Sequence, residues 1–314
     1  MYTSIDELLR KDFYSEETIC DFTVTELRKK IWAKELEILV VFDRICRENN
    51  LKYYLQYGTL IGAVRHKGFI PWDDDADVGM PRPDYERLLE ITQGKMYGKY
   101  YVESIKSDCD DYIWPFAKVF DNKTAFVEKT SFESSIRGIW IDVFPLDGAC
   151  NGMEEVVKYK KISLLKLLRN IRFSHEKNRP LWKDAVIKGT RMIKLSTLNR
   201  LINGVYSIED FKKSDKMGNF TCGYGWVEHL DKAVWGRPTL YEFEDTQLYG
   251  VERADEYLRS LYGDYMTLPP PEKRVRHSAW FMDLEHGPEE SAKLKEFLKD
   301  SRVGDFLKKT QNSK

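Results

Sequence analysis

Four carboxylates crowd into five positions, Asp73-Asp74-Asp75-Ala76-Asp77, between Pro71-Trp72 and the apolar Val78-Gly79-Met80. Like charges this close repel and raise one another's pKa. Such a run can border a folded core only where something compensates it. On a strand, side chains alternate, so Asp73, Asp75 and Asp77 share one face and Asp74 points away with Ala76 and Val78. Same-face neighbours stand roughly 6.6–6.8 Å apart. Two of them can converge on one cation; all three meet only if the strand end bends or Asp73 acts from the loop. A divalent metal supplies the compensation, and all-oxygen donors favour a hard ion, Mg²⁺ or Mn²⁺. The bland alternative is an acidic, solvated turn. An EF-hand does not fit, because no Glu closes a twelve-residue loop and no Gly sits at its sixth position.

A second anomaly lies downstream. Asp142 interrupts the apolar run Gly138-Ile139-Trp140-Ile141, ahead of Val143-Phe144. An ionised carboxylate there is costly unless it is paired or bound to a metal. Upstream, Gly58-Thr59 follows the apolar-aromatic segment KYYLQY and leads into a short helix. A turn of this kind can offer backbone N–H groups and a hydroxyl to phosphate oxygens, although most such pairs are plain turns. Gly-Thr, then spaced aspartates on one strand, then a lone Asp on a neighbouring strand is the site layout of the nucleotidyltransferase fold.

The remaining pattern places these motifs. Residues 25–49 read as a long helix, with Leu27, Ile31, Ile38, Leu39, Phe42 and Ile45 at three- and four-residue steps. A helix is expected at 84–92, strands at 100–104, 116–127 (broken near Asn122) and 138–148, a strand at 241–245, and a helix at 254–263 ended by Gly263. The prolines of LPPPEKRVRH, 268–277, exclude regular helix. From Lys158 to Arg200 the chain carries 13 Lys/Arg against Glu176 and Asp184, interleaved with Leu164, Leu165, Leu167, Leu168 and Ile171. This basic amphipathic stretch suits either a helical hairpin with a solvated face or peripheral contact with anionic headgroups or a lipid-linked acceptor. The expected division is a catalytic core at 1–152, a basic helical insertion at 153–205, the rest of the catalytic domain at 206–288, and a C-terminal helix or tail at 289–314. The fold class is α+β, a mixed sheet flanked by helices.

Whole-chain properties narrow the class. Fifty basic residues balance 51 acidic ones over 314 residues, for a net charge of −1, which argues against a dedicated nucleic-acid binder. No apolar run of 18 residues occurs, so no transmembrane helix is expected, and the acid-bearing start without an apolar stretch is not expected to be a secretory leader. Five scattered cysteines without CxxC spacing suit a reducing compartment. The expected location is cytoplasmic, either free or peripheral at the inner face of the plasma membrane.

The segments YGTLIGAVRHKGFIPWDDDADVGM, IDVFPLDG and LYGDYMTLPPPEKRVRH resemble the LicD family over roughly residues 25–280. Its members are bacterial phosphotransferases that decorate cell-surface glycans with phosphocholine, and they are related to fukutin-type proteins. The resemblance implies a nucleotidyltransferase-like fold, a divalent metal, and a CDP-linked donor such as CDP-choline. It also implies a sugar hydroxyl acceptor on a teichoic acid, lipopolysaccharide or capsule precursor. Carried over by position, Asp75 and Asp77 match the metal-binding aspartates, Asp142 the third-strand acid, Asp73 the first acid of the run, and Gly58 and Thr59 the donor-side turn. Arg65, Lys118, Arg274 and His277 lie in matching segments as candidate donor-binding groups. Asp142 or Asp73 could take the acceptor proton. Trp72 is expected to pack beneath the acidic strand. The cysteine cluster of fukutin-related zinc insertions is missing, so no zinc is inferred. The donor alcohol stays open between choline, glycerol and ribitol. Two other readings keep the same residues: nucleotidyl transfer from an NTP, and a non-catalytic metal-dependent glycan- or nucleotide-binding scaffold.

Overall fold

The computed structural model describes residues 5–93, 98–107, 112, 114–128, 136–150, 152–171, 181–221, 224–274 and 279–300. A short helix α1 (Ile5–Leu8) and a hairpin, β1 (Glu17–Ile19) with β2 (Phe22–Val24), lead into α2 (Glu26–Glu48). The Thr25 side chain caps α2 by accepting the Arg28 N–H. Burial of Trp32, Leu36, Leu39 and Phe42 holds this helix against the sheet. Leu27, expected on the same buried face, is instead exposed at its first turn.

Next come β3 (Tyr54–Leu55) and α3 (Tyr57–Ile61), which runs into a π-helical turn at Gly62–His66. Strand β4 (Asp77–Pro81) and helix α4 (Arg82–Thr92) follow, then β5 (Tyr100–Glu103), β6 (Ala117–Asp121), β7 (Ala125–Glu128), β8 (Ile136–Arg137) and the ten-residue β9 (Trp140–Ala149). The break expected near Asn122 is the turn between β6 and β7. Helices α5 (Met153–Asn170), α6 (Leu181–Arg191) and α7 (Leu195–Tyr206) form the basic segment. The chain then returns through β10 (Lys216–Gly218), β11 (Leu230–Asp231), α8 (Lys232–Trp235), the hairpin β12 (Thr239–Phe243) and β13 (Thr246–Gly250), α9 (Ala254–Tyr262), β14 (Ala279–Asp283) and α10 (Ala292–Asp300). The strand expected at 241–245 ends at Phe243, because Glu244 takes φ +50° and turns the hairpin.

The fold is α+β, as expected, with a mixed central sheet ordered β11-β10-β9-β4-β3-β13-β12; β6 also pairs with β9 and carries β5 outside it. The β4–β9 and β3–β13 pairs are parallel and the others antiparallel. Strand β9 is the spine: its first residues pair with β6 and its last three with β10. A smaller sheet, β14-β7-β8, lies beside it, and α10 seals it with the buried Leu294.

Helices α5 and α7 pack together over a separate small core of Ala149, Ile162, Ile202, Tyr206 and Phe220. Some of the basic residues hold this unit in place. Lys158 donates to the Gly148 carbonyl at 3.0 Å, Lys166 to the Phe220 carbonyl at 3.0 Å, and Arg169 to Asn199 at 2.8 Å. Lys158 and Arg169 are buried, so they cannot reach a headgroup.

Candidate active site

Strand β4 begins where the acidic run ends, and three local devices fix that start. The Gln56 N–H donates to the Asp77 carbonyl at 3.0 Å. The Thr59 hydroxyl accepts the Asp77 N–H at 2.8 Å. The Asp142 N–H donates to the Ala76 carbonyl at 2.8 Å. Thr59 is therefore a buried clasp between α3 and β4. Gly58 sits beside it under a tight constraint, since a Cβ there would stand 2.6 Å from Asp73 Oδ2. The Asp73 carbonyl is tied to α2, accepting Arg28 Nη1 at 2.6 Å and Trp32 Nε1 at 3.0 Å.

The parallel register of β4 on β9 sets Asp77 directly opposite Asp142. Opposed residues of neighbouring strands project to the same face, so the two carboxylates stand side by side. Burial pushes the Asp77 carboxyl well up, and the charges of Asp75, Asp142 and Asp73 push it further; Lys118 opposes them. Lys118 pairs with Asp142 in the antiparallel β6–β9 register, and its Nζ lies 2.7 Å from Asp142 Oδ1. The ammonium is ringed by Trp140 at 4.2 Å, Trp114 at 4.7 Å and Phe116 at 5.6 Å from the ring centroids. Cation–π attraction and the Asp142 ion pair together hold this buried lysine.

Two carboxylates beside one lysine leave local negative charge in excess. Among the described residues no group of three or more His, Cys, Asp or Glu side chains is gathered closely enough to form a closed metal site. Mg²⁺ does not require one. It keeps several waters and is commonly bound by one or two carboxylates together with substrate phosphates. The Asp77–Asp142 pair fits that requirement, with Asp75 two residues away at the mouth of the strand.

Two more of the candidate donor-binding cations, Arg65 and Arg274, gather at Trp72. Arg65 donates to the Tyr265 carbonyl at 2.6 Å and to His66 at 2.9 Å. Arg274 donates to the carbonyls of Pro269 at 2.9 Å and Cys20 at 2.7 Å. Both guanidiniums lie over the ring of Trp72, at 5.9 and 4.8 Å. Trp72 is buried next to the acidic run. Burial, reinforced by Arg65, lowers the His66 pKa to about 4, so its ring is neutral at pH 7 and accepts the Arg65 proton. His277 lies outside the described residues.

One residue near the acids escaped the sequence reading. Glu35 of α2 is 2% exposed, and its Oε2 has no hydrogen-bond partner. Burial pushes its carboxyl well up, helped by Asp75, Asp74 and Asp73. The signal was present: Glu35 stands in the apolar series Ile31, Ile38, Phe42, Ile45 and breaks it as Asp142 breaks its strand.

Residues 50–183 match the family model described as LicD/FKTN/FKRP, nucleotidyltransferase domain. Over 267 residues the chain is 31% identical to the lipopolysaccharide cholinephosphotransferase LicD of Haemophilus influenzae, covering 79% of this chain and 97% of that protein. The chain belongs to the LicD family. An uncharacterised protein of Rickettsia prowazekii shares 52% identity over a 44-residue stretch, 14% of this chain and 16% of that protein. Family membership makes this LicD-type protein a phosphotransferase and accounts for the nucleotidyltransferase-like sheet.

Proposed function

We propose that the enzyme transfers phosphocholine from CDP-choline to a sugar hydroxyl of a cell-surface glycan precursor, with Mg²⁺ as cofactor. The observation that carries this reading is the Asp77–Asp142 pair, set in register beside Asp75, in a chain that aligns along almost the whole of a cholinephosphotransferase. Asp77 and Asp142, with Asp75, would hold the ion. When bound, it would neutralise the donor's diphosphate and make its phosphorus electrophilic. The chain's own groups do the rest. Lys118 pairs with Asp142 and orients it. Thr59 and Gly58 fix the start of β4, so the carboxylates are positioned before the donor arrives. The acceptor oxygen attacks the choline-bearing phosphorus in line. The bond to CMP breaks, and the hydroxyl proton passes to Asp142 or Asp73. Incubation with CDP-choline, MgCl₂ and extracted glycan tests the reading by chromatography: CMP and phosphocholine-bearing glycan are expected, and EDTA should abolish both. Pyrophosphate released from CTP instead would mean nucleotidyl transfer. Donor binding without turnover would mean a scaffold.

A glycan precursor carried on lipid would be met at a membrane surface. No described helix is long and apolar enough to cross a membrane. Support for peripheral contact comes from α5, where Met153, Val157, Leu164 and Leu167 are 74, 43, 58 and 60% exposed. Helical spacing puts them on one stripe, with the exposed Lys160 and Lys161 among them. An apolar stripe flanked by lysines suits an anionic bilayer. Co-sedimentation with phosphatidylglycerol-containing vesicles should be lost in Leu164→Glu/Leu167→Glu. Equal binding to pure phosphatidylcholine vesicles, or self-association in place of vesicle binding, would overturn this assignment.

A further inference from the structure

Beside the acidic run lies a cavity of about 400 Å³ that the mechanism above leaves unused. Glu35 lines it from α2 and Asp74 from the loop before β4. Trp140, Phe126 and Met282 form its apolar side, with the rings of Trp140 and Phe126 edge to face at 5.0 Å. Arg28 also lines it, but that guanidinium is engaged by the Asp73 carbonyl and lies 3.9 Å from Asp74.

A carboxyl oxygen buried without a partner, as Glu35 Oε2 is, costs folding free energy. An orphaned carboxyl oxygen beside the acids, on the wall of a cavity, points to a ligand. The walls say which kind. A phosphate would face Glu35 and Asp74. A sugar would find few polar partners among Trp140, Phe126, Met282 and their apolar neighbours. A metal ion would find oxygen donors on the Glu35 and Asp74 side but none on the side chains of Trp140, Phe126 and Met282. A bulky cation unable to donate hydrogen bonds satisfies both halves of the cavity, with ring faces attracting its charge and carboxyl groups on the acidic side. The place is right as well. Trp140 precedes Asp142 by two residues on the same face of β9, and Asp74 lies between Asp73 and Asp75.

We propose that this cavity receives the quaternary ammonium head of the donor, with the carboxyl groups of Glu35 and Asp74 as its acidic side and Trp140 and Phe126 as its aromatic wall. The proposal rests on the phosphocholine reading and adds a determinant of alcohol specificity to it. Two variants test it. Glu35→Gln keeps the shape and replaces the acid; Met282→Phe narrows the cavity and changes no charge. Both are first checked for a cooperative thermal melt. The expected result is a KM for CDP-choline raised about tenfold or more, a kcat changed far less, and no comparable rise in the affinity constant for CDP-glycerol, whose alcohol is neutral. Wild-type KM in both variants, or an equal loss with both donors, would overturn the assignment. Tetramethylammonium binding, followed by ligand-observed NMR without any nucleotide, separates this proposal from the donor reading. Binding to the wild type that is lost in Glu35→Gln supports the cavity even if CDP-choline is not turned over. No binding to the wild type sinks it even if CMP is released.

Discussion

Asp142 and Asp147 stand five residues apart on β9, and the chain treats them differently. Asp147 is fully buried and receives both arms of one guanidinium, with Arg82 Nε and Nη2 each 2.6 Å from its oxygens. The third nitrogen of Arg82 reaches Asn203 on α7 at 3.1 Å and Glu86 at 3.2 Å. That cluster is closed, and it ties β9 to α4 and to the helical insertion. Asp142 shares Lys118 with a second carboxylate across the ladder and has Asp73 and Asp75 nearby. Ion pairs that serve the fold are balanced within it. The site at the other end of β9 keeps an excess of one sign, which is the condition for binding a cation from outside.

The sharpest way to break this contrast is to neutralise one residue on each side. Asp77→Asn should cut phosphocholine transfer by about a thousandfold or more, since metal-stabilised charge is worth several kcal/mol. The same variant should melt no lower than the wild type, because it removes a like charge from a buried cluster. Arg82→Ala should do the reverse, losing about 3–5 kcal/mol of stability because Asp147 is left buried and unpaired, which urea unfolding measures. Activity per folded molecule should then change far less than in Asp77→Asn. If both variants lost stability equally, the distinction between the two ends of β9 would be gone.

The sequence made some of this legible and hid the rest for physical reasons. Asp142 showed itself because a charge inside an apolar strand needs a reason, and the acid run showed itself by self-repulsion. Glu35 carried the same kind of signal inside a helix, where a single break in a three-and-four pattern is easily read as a solvent-facing position. By sequence, Lys118 is a candidate donor-binding group or a surface charge; its place against Asp142 comes from the one register in which β6 pairs with β9, and register between strands is not written locally. Thr59 clasps a backbone N–H 18 residues away, a contact that exists only once α3 has docked on β4. In the basic insertion, composition gave the charge but could not separate Lys158 and Arg169, turned inward, from Lys160 and Lys161, turned outward; helical phase makes that division.

A smaller effect sharpens the comparison through pH. The Asp77 carboxyl is raised in the folded state by burial and then by its acidic neighbours. From about pH 4, the unfolded aspartate value, up towards that raised pKa, the folded protein holds a proton that the unfolded chain has released. Stability contributed by Asp77 is therefore present at the acid end of this window and lost as pH rises through it. Without divalent metal, the wild type should lose stability relative to Asp77→Asn between pH 4 and 7, seen as converging or crossing thermal melts. Adding MgCl₂ should reverse the trend in the wild type alone, because the ion binds the ionised pair and stabilises the folded state according to its concentration and affinity. A wild-type melt that tracks Asp77→Asn at every pH, with and without Mg²⁺, would mean that Asp77 is balanced within the fold as Asp147 is, and that the charge excess at the head of β9 has another purpose.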